Sequence, residues 1–203
     1  MTPIATIAEL EAIYGQPSEA SLVKEIDRLI PEYRAYVEAS PFVALATAGP
    51  EGLDCSPRGD APGLVRVIDE KTLVLPDRRG NNRIDSLKNV LRDPRVALLF
   101  FVPGIDNTLR INGRAHLTAD RDLLGSFAVE GKAPRSALVI AIERVYFQCS
   151  RALMRSALWD PARHRAPKDL PSAGEMLAAT TAGRVGGPDY DRAWPARAKE
   201  SLW

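Results

Sequence analysis

At 203 residues and 45% hydrophobic side chains, the chain can bury one sizeable core but is short for two independent ones, so one domain with terminal extensions is expected. Its 27 basic and 26 acidic residues leave a formal net charge of +1, which excludes a protein-wide field for nucleic acid or an anionic membrane and makes any anion site local. The two cysteines, Cys55 and Cys149, stand in no metal or redox spacing, no apolar run is long enough for a membrane helix, and Glu9 and Glu11 interrupt the place of a signal peptide; a cytoplasmic location is expected.

In chain order, Ile4 to Ile13 predicts a short helix ended by Gly15 and Pro17. From Ser18 to Ala39 the apolar residues Leu22, Ile26, Leu29, Ile30, Tyr33 and Val37 recur at three- and four-residue spacing, the pattern of an amphipathic helix that Pro31 bends or splits. Phe42 to Thr47 and Leu53 to Pro57 read as a hairpin around Gly49-Pro50-Glu51-Gly52. Further strands are expected at Leu64 to Ile68, Thr72 to Leu75, Arg95 to Val102, Thr108 to Leu117 and Ala137 to Gln148, and helices at Asn82 to Arg92 and Arg121 to Glu130. Beyond Trp159 only Gly174 to Thr181 and Tyr190 to Leu202 look helical. Many short strands without regular βαβ alternation describe a mainly β protein with helices, an antiparallel barrel or sandwich.

The segment from Val74 to Leu87 places a strand end, a basic polar loop and a helix start in succession. Unpaired N–H groups and the dipole at a helix start attract phosphate, and Arg78, Arg79 and Arg83 add forked donors. Asn81 or Asn82 can cap the helix or donate to a ligand, and Gly80 lets the backbone turn closely. A basic triplet alone reads as a solvated loop; its position between a strand end and a helix start turns the reading to a local anion site, and the residues say no more than that.

At Ser56-Pro57-Arg58-Gly59-Asp60 a glycine and a charged pair follow an apolar strand, either as one wall of a cofactor slot or as a surface turn with an Arg58 and Asp60 ion pair. From Tyr146 to Pro161 a strand enters a helical turn on which Arg151 and Arg155 share a face, with Cys149 at the strand end and Trp159 beyond. His116 and His164 lie in no metal spacing, and no nucleophile elbow, P-loop or dinucleotide glycine pattern occurs. A catalyst without such groups needs a cofactor to supply its reactivity.

Together with Asp93 to Phe100 and Leu109 to Ala115, these segments resemble the pyridoxamine 5'-phosphate oxidase-related FMN-binding split-barrel family, in its probable FMN-dependent subgroup of unknown substrate. The resemblance implies a six-stranded antiparallel split barrel over 41–160, with an N-terminal helical extension over 1–40 and a C-terminal extension over 161–203. It implies a homodimer with FMN at the subunit interface. Asn81, Asn82 and Arg83 would grip the phosphate, Pro76, Asp77, Arg78 and Arg79 would assist, and Arg58, Gly59 and Asp60 would line the cofactor. Arg110, Cys149, Arg151 and Trp159 would approach it from the partner subunit.

The vitamin B6 oxidases keep an Arg-Lys pair where this chain has Asn82 and Arg83, and their C-terminal Arg-x-His pattern is not found, which speaks against pyridoxamine phosphate as substrate. The expected function is an FMN-dependent oxidoreductase acting on a small molecule by hydride transfer at flavin N5. The alternative is a non-enzymatic split barrel that binds or stores flavin, deazaflavin or haem. Nucleic acid and membrane are not expected partners, and no metal site is expected.

Overall fold

The computed structural model describes residues 3–202; Met1, Thr2 and Trp203, which fall in the expected terminal extensions, lie outside them. The strands are β1 (Phe42–Gly49), β2 (Gly52–Gly59), β3 (Arg66–Val67), β4 (Thr72–Pro76), β5 (Arg95–Phe101), β6 (Thr108–Thr118) and β7 (Ala137–Gln148). They form one antiparallel sheet in the order β2-β1-β5-β6-β7-β4-β3, with no ladder between β2 and β3 among the described residues. The expected six strands are therefore seven, because Arg66 and Val67 add a short edge strand to β4, and with β2 and β3 unpaired with each other the sheet is not closed. The helices are α1 (Ile7–Tyr14), α2 (Glu19–Val23), α3 (Pro31–Ala39), α4 (Asp85–Arg92), α5 (Arg121–Gly125), α6 (Arg151–Ser156), α7 (Ala173–Thr180) and α8 (Pro188–Glu200). Among the described residues no helix is long and apolar enough to cross a membrane.

Period-two burial sets the faces. Val43 and Leu45 on β1, Val96, Leu98 and Phe100 on β5, and Leu109 and Ile111 on β6 point into one core, which Tyr33 and Val37 of α3 cover. Leu73, Val74 and Leu75 of β4 are buried without alternation because both faces are covered: Leu73 and Leu75 join the main core, while Val74 packs with Leu124 and Phe127 below α5.

The amphipathic stretch from Ser18 to Ala39 is two helices. Ile26 leaves helical geometry to exchange both backbone hydrogen bonds with Val145 of β7 (3.1 and 2.7 Å), and Pro31, which has no N–H to lose, opens α3 at its first position. The helix expected over Arg121 to Glu130 stops at Gly125, and Phe127 turns into the second core instead.

Two glycines allow close approaches that fix the frame. A Cβ on Gly49 would lie 2.2 Å from Asn89 Oδ1, so α4 can seat on β1, where Asn89 Nδ2 donates to the buried Thr47 hydroxyl at 3.1 Å. A Cβ on Gly113 would lie 2.1 Å from the Ala141 carbonyl oxygen, at the bulge where the β6–β7 register shifts between Asn112 and Gly113. Because that obstacle is backbone, Gly113→Ala is expected to lower the unfolding free energy by about 1–3 kcal/mol, measured by denaturant unfolding. An unchanged midpoint would show that the bulge yields without cost.

Candidate functional site

Pro76 of β4 lies opposite Ala137 of β7, and the next backbone pair continues the ladder, with Asp77 N–H donating to Ser136 O at 2.9 Å. The loop after β4 and the loop before β7 therefore leave the sheet side by side. Between them, the inner face of β2 and the start of α4 lies a cleft of about 730 Å³, within the span of roughly 300–1,000 Å³ usual for small-molecule sites. Its basic lining residues are Arg58, Arg78, Arg79, Arg83, Lys132 and Arg135, against the acidic Asp54, Asp77 and Asp85. A protein of net charge +1 thus concentrates a positive excess in one place.

The loop reaches α4 through backbone that non-glycine residues seldom adopt. Asn82 has φ of 59° and Ile84 φ of 55°, the latter as the residue that caps α4, and left-handed geometry at such positions costs on the order of 1–3 kcal/mol each. Among the described residues no side chain caps the helix, so its first N–H groups are left without a side-chain partner beside the cleft. Helix α4 therefore begins at Asp85, three residues after the expected start at Asn82, and neither Asn81 nor Asn82 caps it. Asn81 instead accepts the Arg83 N–H at 3.0 Å and tightens the loop.

The basic residues have different roles. Arg78 is largely buried: its Nε donates to Asp60 Oδ2 at 2.7 Å and its Nη1 to the Phe127 carbonyl at 2.8 Å. Asp60 thus serves Arg78, and the Arg58–Asp60 ion pair considered from sequence is not formed. Arg83 lies 73% exposed in an ion pair with Asp85. The side chains of Arg79, Lys132 and Arg135 have no hydrogen-bond or ion-pair partner among the described residues. Arg58 is held on the inner face of β2 by two serines and one backbone carbonyl: Nη1 donates to Ser56 Oγ at 2.8 Å and to Pro57 O at 2.9 Å, and Nη2 to Ser86 Oγ at 3.0 Å.

Asp77 stands beside these cations. Burial pushes its carboxyl above the ordinary range, and the Arg58 charge opposes that shift. Gly59 also lines the cleft, whereas Pro76 ends β4 without lining it. Arg110, Cys149, Arg151 and Trp159 are absent from the cleft of their own chain. Arg110 donates to Tyr146 Oη at 3.1 Å, Cys149 and Arg151 are exposed, and Trp159 donates Nε1 to the Ile105 carbonyl at 3.0 Å. Trp159 also borders a separate apolar hollow of about 370 Å³ with Phe42, Phe101, Pro103 and Leu158.

Sequence reasoning passed over Asp54, Lys132 and Arg135, and gave Ser86 no role. Asp54, Ser56 and Arg58 alternate along β2 and so share one face, a signal that period-two reading can recover. Lys132 and Arg135 lie in an irregular loop and carry no periodic signal.

The fold and the cleft define a small antiparallel-sheet protein with a cation-lined cleft where β4 ends and β7 begins. The family model described as pyridoxamine 5'-phosphate oxidase matches residues 29–149, from just before α3 to just past β7, and the chain belongs to that family. No curated protein matches the chain. Among solved structures, HupZ from Group A Streptococcus is 14% identical with a TM-score of 0.46, over 58% of this chain and 91% of its own. A candidate pyridoxamine 5'-phosphate oxidase from Lactobacillus delbrueckii is 22% identical with a TM-score of 0.47, over 60% and 95%. An FMN-binding protein from Syntrophomonas wolfei is 11% identical with a TM-score of 0.43, over 58% and 89%.

Because the folded state holds the Asp77 carboxyl above its unfolded value of 3.8, its contribution favours folding below that pH and is lost as pH rises through the folded value. Asp77→Asn is therefore expected to melt at a higher temperature than the wild type near pH 7, with the two curves converging at acid pH. A variant that melts lower near pH 7 would show that the cations, not burial, govern this group.

Proposed function

We propose that the protein binds FMN in this cleft and acts as a flavin-dependent oxidoreductase on a small molecule. The observation that carries the reading is the cation-rich cleft at the uncapped start of α4, in a chain of this family. The residues present fit the cofactor: six basic against three acidic side chains leave an excess for a phosphate dianion, and the volume suits a ligand of flavin size. Gly80 meets no atom within 4 Å of a would-be Cβ, leaving the loop open to a ligand.

Arg58, Arg79 and the N–H groups at the start of α4 would hold the phosphate, with Asn81, Asn82 and Arg83 shaping the loop and Arg78 pinning it to Asp60. Bound FMN would supply hydride exchange at its N5. The chain's own part is to orient the ligand and to hold its phosphate against the β2 side of the cleft. Lys132 and Arg135 face the opening and suit a substrate that bears negative charge.

Two copies would complete the site, with Arg110, Cys149, Arg151 and Trp159 of one facing the cleft of the other. Support for a second copy comes from the uncovered apolar hollow at Phe42, Phe101 and Trp159.

Purified protein is expected to be yellow or to take up added FMN, read by absorbance and by quenching of flavin fluorescence. Arg58→Ala is expected to weaken FMN by about 2 kcal/mol, roughly thirtyfold, as for the loss of a charge-assisted hydrogen bond. A colourless protein that takes up no FMN would overturn the reading, and preferential uptake of a deazaflavin or haem would redirect it.

A further inference from the structure

Arg58 forms no ion pair of its own among the described residues, although Asp54 lies on the same face of the same strand. The two are joined through serines. Ser86, 4% exposed at the start of α4, donates its hydroxyl to Asp54 Oδ2 at 2.6 Å. A serine hydroxyl has a single proton, so once it is given to Asp54 the oxygen can only accept, and Arg58 Nη2 donates to it at 3.0 Å. Ser56 Oγ, 3.4 Å from the same Asp54 oxygen and 3.0 Å from Ser86 Oγ, accepts Arg58 Nη1 at 2.8 Å.

We propose that Asp54 and Ser86 are positioning residues that turn the serine lone pairs toward Arg58, locking its guanidinium at the cleft with its charge left for a ligand. The proposal rests on the reading of the cleft as an FMN phosphate site. Asp54→Asn replaces the charged acceptor by a weaker amide that can also turn its Nδ2–H toward Ser86; this frees the Ser86 proton to turn, and a hydroxyl proton facing Arg58 sets donor against donor. Direct ion pairing would hold Arg58 equally well but would neutralise it; relaying through neutral hydroxyls holds the group and keeps it electrostatically available. Ser86 also belongs to α4, so the same relay sets the distance between Arg58 and the open N–H groups of the helix.

The test compares FMN with riboflavin, which lacks the phosphate, in wild-type protein, Asp54→Asn, Ser86→Ala and Arg58→Ala. Asp54→Asn and Ser86→Ala are expected to weaken FMN on the order of tenfold, the size of one charge-assisted hydrogen bond, and to leave riboflavin unchanged. In the Arg58→Ala background Asp54→Asn is expected to add nothing, since its action runs through that arginine. Equal losses for both flavins, or additive losses in the double variant, would show a general structural role and overturn the proposal.

A second measurement needs no flavin. In ligand-free wild-type protein the Arg58 guanidinium should rotate slowly about its Nε–Cζ bond by nitrogen-15 NMR, and quickly in Asp54→Asn and Ser86→Ala. Unchanged rotation overturns the proposal. If wild-type protein binds neither flavin, the cofactor reading alone falls, and the guanidinium measurement decides the positioning role.

Discussion

Helix α4 sits where it does because Gly49 has no side chain to meet Asn89. That contact lets Asn89 reach the buried hydroxyl of Thr47, and the buried pair fixes both the height and the rotation of the helix over β1. Everything at the cleft follows from the placement. The first turn of α4 presents Ser86 to β2, and the preceding loop is drawn into two left-handed residues to meet the helix. The strain at Asn82 and Ile84 persists because both ends of the loop are pinned, by the β4–β7 ladder on one side and by the seated helix on the other.

The arginines of the cleft show how position divides one residue type into separate tasks. Arg78 and Asp60 form a buried pair, 16% and 7% exposed, whose charges cancel within the protein. Arg83 spends its charge on Asp85 at the surface, where solvent screens it. Arg58, braced by neutral hydroxyls, and Arg79, without a partner among the described residues, retain theirs. The positive field of the cleft is therefore carried by fewer residues than its composition indicates.

Much of the fold was legible from local pattern. All seven strand segments were readable as alternating or continuous apolar runs bounded by turn residues, and the hairpin at Gly49 to Gly52 was readable from its glycines and proline. The split at Pro31 was visible, but the pairing of Ile26 with Val145 was not, since it joins residues far apart in sequence. The basic segment was correctly placed between a strand and a helix, yet the helix start was read three residues early because a left-handed isoleucine leaves no compositional trace. Which arginine faces the cleft could not be read from a loop without a repeat. The alternation of Asp54, Ser56 and Arg58 on β2 was a signal available in the sequence, and it became meaningful only with Ser86 opposite.

The two cleft walls share a single root. Pro76 and Ala137 are neighbours in one ladder, and the hydrogen bond from Asp77 to Ser136 holds the walls one strand spacing apart as they leave the sheet. The base of the opening is therefore invariant, while its breadth grows only with distance from that rung. Residues inserted at 79–82 or at 129–134 would change how large a molecule enters without moving any strand, so a common scaffold can be refitted to new ligands by loop length alone.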